Sequence, residues 1–280
     1  MTMFDENPCV IQDQPATPWL GKTPLVLIHD GGGTVFSYHL IGPLKRRVFG
    51  ISNPCYTTGS TWDGGINQMA NHYYDLIKKI IPFGKVILGG WSLGGILSIA
   101  IARLIADDDN LDVVGILMID SICPRPTTVQ AQALAQAEIR TQQAKPTPTP
   151  IAQHALTWST YTKPETRNAV QRCFSEAVRM LGEWTLPSWP NDSFTRPPPV
   201  ILLRCKEKVP TPDGTSRVDS YRDDPLLGWG HYRQDLISQV VEIPGNHFSI
   251  WATEERLDEV TAKINQACLD LDAAQALGTR

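Results

Sequence analysis

Seven consecutive residues, Val113-Val114-Gly115-Ile116-Leu117-Met118-Ile119, carry no polar side chain, and this run is one of several. A strand with one face in water alternates apolar and polar positions, so a run apolar throughout is buried on both faces, as in a parallel sheet covered by helices. Leu25-Val26-Leu27-Ile28 follows Pro24 and ends in His29-Asp30-Gly31-Gly32-Gly33. Val48 to Ser52 and Lys85 to Gly90 are further strand candidates, with Ile66 to Ile80 between them placing Met69, Tyr73, Leu76 and Ile80 at helical spacing. Leu97 to Ala106 continues as an apolar helix. This βαβαβ order predicts an α/β domain with a mostly parallel, doubly wound sheet.

Composition narrows the class further. A chain of 280 residues, 42% hydrophobic and 19% charged, has material for one large core, which excludes a disordered chain, a collagen and a coiled coil. The balance of 25 basic against 29 acidic residues gives a net charge of −4, so no nucleic-acid partner is expected. Cys9, Cys55, Cys123, Cys173, Cys205 and Cys268 form no CxxC pair and read as reduced, mostly buried thiols rather than a disulfide framework or a metal site. MTMFDENPCV has no basic residue, unlike a secretory or transit signal, and a seven-residue apolar run is too short to span a bilayer. The expectation is a cytoplasmic protein without a membrane partner.

Beyond Asp120 the pattern changes. Residues 127–145 are strong helix formers, Pro146, Pro148 and Pro150 interrupt them, and helical stretches follow over 151–162 and 164–184, with Pro164 suited to a first turn. The strand pattern resumes at Val200 to Arg204 and again at Val240 to Ile243, and 253–275 closes the chain as a helix. Residues 1–123 and 198–280 therefore read as one core, interrupted by a helical insertion over 124–197 of the kind that forms a lid.

Gly90-Trp91-Ser92-Leu93-Gly94 fits G-x-S-x-G in the context that motif needs, a buried strand leading in and an apolar helix leading out. Glycines at 90 and 94 admit close backbone approach, so Ser92 Oγ projects above the sheet edge while the helix N-terminus faces developing negative charge. A serine hydroxyl needs a base. Of six histidines, His247 in Pro244-Gly245-Asn246-His247-Phe248 follows the last strand, and loops at the carboxyl ends of parallel strands line one crevice. His29, the rival, lies in the Gly-rich loop and reads as holding it by hydrogen bonding. The acid is Asp120, ending the buried strand, or Glu207 beyond the next one. Asp120 is favoured because an acid at the tip of an apolar strand is costly unless paired, whereas Glu207 is flanked by Lys206 and Lys208. Oxyanion donors are expected from the Leu93 amide and from Gly31, each worth about 10²–10³ in rate. Neither G-x-G-x-x-G with a distal acid nor G-x-x-x-x-G-K-[ST] is present, so a nucleotide loop is not indicated.

With these residues together, LVLIHDGGGTVFSY at 25–38, GISNP at 50–54, GGWSLGG at 89–95, LMIDS at 117–121 and GNHF at 245–248 resemble the thioesterases of polyketide and non-ribosomal peptide synthases, and the fungal polyketide branch above all. The resemblance covers about residues 20–125 and 198–265. It implies an α/β-hydrolase fold, Asp120 as the acid, and a helical lid where 124–197 falls. It also implies a polyketide acyl thioester as substrate, carried on the phosphopantetheine of an acyl carrier protein, with no cofactor of the enzyme's own. Release would follow through an acyl-serine by hydrolysis or macrolactonisation, and the chain would act in trans as a free-standing enzyme. Within the lid, Trp158, Tyr161, Trp184, Leu186 and Trp189 could wall a substrate tunnel or form the lid's own core. Lys45-Arg46-Arg47 could meet an acidic carrier protein, although a solvated basic turn is the simpler reading. A general carboxylesterase, an acyltransferase or a non-catalytic scaffold remain the alternatives.

Overall fold

The computed structural model describes residues 6–13, 22–124, 162–189, 196–211 and 216–278. Seven strands form one sheet in the order β1-β3-β2-β4-β5-β6-β7. They are β1 (Cys9–Gln12), β2 (Leu25–Ile28), β3 (Val48–Ile51), β4 (Gly84–Trp91), β5 (Leu111–Ile119), β6 (Val200–Cys205) and β7 (Ile237–Ile243). All neighbours pair in parallel except β1, which runs antiparallel to β3. The helices are α1 (Cys55–Thr58), α2 (Gly65–Ile80), α3 (Leu93–Ile105), α4 (Pro164–Glu183) and α5 (Glu254–Gly278).

The apolar runs are explained by burial on both faces. Val26, Ile28, Val86 and Leu88 pack on one side with α2 and α3, while Leu25, Leu27, Ile87 and Val114 pack on the other with Ile264, Cys268 and Leu271 of α5. α2 shows how local sequence and packing agree: Ile66, Met69, Ala70, Tyr73, Leu76 and Ile77 form its buried stripe, and Lys78 and Lys79 lie in its last turn, where cations suit the helix dipole.

β2 has β3 on one side and β4 on the other, so the chain winds in opposite directions from β2. Loops leaving β2 and β4 diverge at this switch point and open a crevice at the carboxyl edge of the sheet. The structure adds β1, which the sequence reading omits. It also starts β5 at Leu111 and β7 at Ile237, two and three residues earlier than the apolar pattern indicates.

α4 lies between β5 and β6 in sequence, with Pro164 in its first turn. The helices expected over 127–145 and 151–162, and with them Trp158 and Tyr161, lie outside the described residues. All six cysteines are free thiols, four of them buried. Arg46 departs from the solvated basic turn: it is buried, donating to Thr23 O at 2.8 Å and pairing with Asp272 of α5 at 3.1 Å. No helix among the described residues is long and apolar enough to cross a membrane.

Candidate active site

Ser92 stands between β4 and α3 with φ 56° and ψ −114°, a left-handed conformation that L-residues adopt only under tertiary constraint. The constraint is visible in its neighbours. A Cβ at Gly90 would come within 2.5 Å of Ile28 O, and one at Gly94 would collide with the same carbonyl, so only glycine lets the turn pass so close to β2. Ser92 N–H donates to Ile119 O at 2.9 Å, and Tyr38 Oη accepts from Trp91 N–H while donating to Ile28 O. The turn is thus fastened to the strands on both sides.

His247 follows β7 and is almost fully buried. Its Nε2 lies 3.1 Å from Ser92 Oγ and its Nδ1 lies 2.8 Å from Asp120 Oδ2. Next to a carboxylate, Nδ1 carries the proton, which leaves the Nε2 lone pair facing the hydroxyl. Trp91 and Phe248 pack against the imidazole at ring-centroid distances of 5.4 and 4.9 Å and fix its plane.

Asp120 is fully buried at the end of β5, with φ 48°. Besides His247, its carboxylate accepts Cys205 N–H at 2.8 Å and two N–H groups of Arg222 at 2.6 and 2.7 Å. Burial alone would push the carboxyl up, but the hydrogen bonds and charges of Arg222 and His247 outweigh it and hold Asp120 well below the ordinary carboxylate range. Glu207, the alternative acid, is half exposed and pairs loosely with Arg256 at 3.7 Å.

The loop after β2 supplies the facing wall. Gly32 N–H donates to Asp30 Oδ1 at 3.0 Å and Gly33 N–H to Asp30 O at 3.1 Å, so the Gly31 amide lies outside this turn's own bonding. Leu93 opens α3, where helix geometry provides no intrahelical acceptor for its N–H. His29 is the loop's anchor: buried, its Nδ1–H donates to Asp30 O at 2.6 Å and its Nε2 accepts from Tyr73 Oη at 2.6 Å. Burial lowers His29 to about 4, only partly offset by the Asp30 carbonyl, so it stays neutral. Burial also raises the Asp30 carboxyl to about 6 against the Gly32 amide and the His247 charge.

α4 leans on this loop. A Cβ at Gly31 would meet the Phe174 ring at 2.7 Å, and one at Gly32 would meet Val170 at 3.4 Å, so the helix rests against the glycine backbone itself. Trp184 and Trp189 are both buried. Trp184 donates its indole N–H to Asn67 of α2, and Trp189 donates to Tyr232 Oη beneath the Arg103 guanidinium at the far end of α3. Both belong to the apolar cluster that packs with α2 and α3, and Leu186 packs against it. Arg222, Asp219 and Phe174 are the additions that the sequence reading lacks. Arg222 lies in the polar run Asp219-Ser220-Tyr221-Arg222-Asp223-Asp224, which looks solvated, and only the Leu226-Leu227-Gly228-Trp229 run just after it hints that this excursion is buried.

A family model described as "Thioesterase domain" matches residues 23–268. The thioesterase frbE of Dothideomycetidae sp. (strain 11243) is 36% identical over 276 residues, covering 95% of this chain and 96% of that protein. The nonribosomal peptide synthetase imqB of Aspergillus flavus is 33% identical over 276 residues, which span 95% of this chain and 8% of the synthetase. Among solved structures, the NocB thioesterase domain in covalent complex with a fluorophosphonate nocardicin G analog superposes with a TM-score of 0.58 at 22% identity, covering 88% of this chain and 94% of that one, a likeness of fold.

Proposed function

This chain belongs to the thioesterase family of serine α/β-hydrolases, and on that premise we propose that it releases a polyketide acyl chain from the phosphopantetheine thioester of a carrier protein, with Ser92, His247 and Asp120 as its catalytic residues. The carrying observation is the continuous pair of contacts from Ser92 Oγ to His247 Nε2 at 3.1 Å and from His247 Nδ1 to Asp120 Oδ2 at 2.8 Å.

The steps follow from that alignment. Ser92 Oγ attacks the thioester carbonyl as its proton passes to His247 Nε2, and Asp120 stabilises the imidazolium. The Leu93 and Gly31 N–H groups receive the oxyanion. The C–S bond then breaks, and the departing sulfur takes the proton from His247. In the second half His247 accepts a proton from water, giving an acid, or from a hydroxyl of the chain, giving a lactone. That oxygen attacks the acyl carbon and Ser92 leaves with the proton. Folding the chain under a lid formed by the insertion would favour the internal hydroxyl, since a well-placed intramolecular nucleophile has a large effective-molarity advantage.

A peptidyl chain is the second reading, favoured by the match to a segment of a nonribosomal peptide synthetase. The test uses carrier-bound polyketide and peptidyl thioesters, each with a distal hydroxyl, and reads product masses. Faster release of the polyketide, absent in Ser92→Ala, is expected. Faster release of the peptide would move the substrate class, and unchanged release by Ser92→Ala would remove the assignment of the nucleophile.

A further inference from the structure

Arg222 uses its whole guanidinium. Nε–H donates to Asp219 Oδ1 at 2.9 Å, one terminal nitrogen donates to Asp120 Oδ1 at 2.6 Å and Cys205 O at 3.1 Å, and the other donates to Asp120 Oδ2 at 2.7 Å and Val218 O at 3.3 Å. All five N–H donors therefore have acceptors. Asp219 is held in turn by Val209 N–H at 2.6 Å, and the Arg222 carbonyl accepts from Arg204 of β6 at 2.5 Å. The side chains of Asp120, Arg222 and Asp219 are 0, 2 and 1% exposed, so their charges act almost unscreened.

This arrangement poses a charge problem for a hydrolase. The Asp120 carboxylate is meant to favour a positive imidazole, yet a guanidinium bound to it through both oxygens makes that pair formally neutral. A second buried carboxylate on the far side of the guanidinium returns the group to a net charge of −1. We propose that Asp219 and Arg222 extend the Ser92–His247–Asp120 array into a five-membered chain, in which Arg222 is a positioning residue that locks the Asp120 carboxylate and Asp219 restores the negative charge that the imidazolium needs. The inference rests on the triad reading above and deepens it. Fork-to-carboxylate pairing fixes Asp120 in plane, so Oδ2 stays aimed at Nδ1 without help from backbone turns alone.

Other groups that face His247 are accounted for. Asp30 approaches from the loop after β2 and Ser92 from the elbow, while the Cys205 thiol at the end of β6 lies beside Asp120 and Arg222. Arg256 of α5 is engaged by Ser249 O and Glu207, and Trp91 and Phe248 carry no charge.

The test is the pH dependence of kcat/KM on a soluble acyl thioester, with an NMR titration of the His247 ring in the same proteins. Arg222→Gln leaves Asp120 on the imidazole and the buried Asp219 carboxylate behind it with no cation between them, so the acid limb of the profile and the ring titration should both move up by about one pH unit, with kcat at least tenfold lower. Asp219→Asn leaves the neutral pair, so both should move down. Arg222→Lys keeps the charge but loses the fork, so the limb should stay near wild type while kcat falls. Loss of activity in all three with limb and titration unmoved would overturn the proposal and leave the pair a structural bridge. If Arg222→Gln does not fold, the opposite behaviour of Asp219→Asn and Arg222→Lys decides. The ring titration needs no turnover, so it separates failure of this charge coupling from failure of the triad reading, which Ser92→Ala tests.

Discussion

A hydroxyl becomes a useful nucleophile only where its proton has a destination, and at residue scale that destination is the imidazole 3.1 Å from Ser92 Oγ. Asp120 sets which imidazole nitrogen is free. Asp120→Asn can present its amide N–H to Nδ1 and so favour the wrong tautomer, and kcat/KM should fall by about 10³–10⁴ in steady-state assays. An effect under tenfold would mean that the ring is oriented by other contacts. His29 offers a separate, stability-based test. In the fold it stays neutral down to about pH 4, whereas the unfolded chain protonates it near 6.5. The unfolded state thus binds the extra proton across that window, and acidification destabilises the native protein through this residue by about 3 kcal/mol. Asp30 runs the other way between 3.8 and about 6, because the fold retains a proton that the unfolded chain has already released. In urea titrations from pH 7 to 4, His29→Gln should therefore lose less stability than wild type and Asp30→Asn should lose more. Parallel curves for all three proteins would contradict both shifts.

Among the elements, the contact of α4 with the glycine loop matters most, because it joins the segment between β5 and β6 to the wall that carries the Gly31 amide. Phe174 rests on Gly31 and Trp189 is buried near the far end of α3, although both lie between β5 and β6 in sequence. Their removal should be distinguishable. Phe174→Ala strips an apolar ring from the crevice wall and should lower kcat/KM for long acyl thioesters by about tenfold, with a smaller effect on acetyl thioesters. Trp189→Phe forfeits one hydrogen bond to Tyr232 and should cost about 1 kcal/mol in urea unfolding with kcat/KM unchanged. The reverse pattern would place Trp189 in the substrate wall and make Phe174 mere packing.

For the whole molecule, the parallel sheet and the meeting of Ser92, Asp120 and His247 were legible because each depends on a local pattern with few alternatives. Wholly apolar runs imply strands buried on both faces, and residues at the carboxyl ends of such strands share one crevice. β1 escaped because four half-exposed residues at a sheet edge carry no such pattern. Arg222 escaped because an arginine beside aspartates in a polar run looks solvated until the fold closes over it, 102 residues from the carboxylate that it grips. Trp184 and Trp189 are ambiguous in the sequence because large aromatics suit a tunnel and a core equally, and their indole partners, Asn67 and Tyr232, lie far away along the chain. The central claim concerns a covalent event, and its most direct measurement is intact-protein and peptide mass spectrometry after rapid mixing with an acyl thioester. The account predicts a transient mass gain equal to the acyl group, mapped to Ser92 and absent from Ser92→Ala. An acyl adduct on a different side chain, or thioester cleavage with Ser92 never acylated, would contradict it.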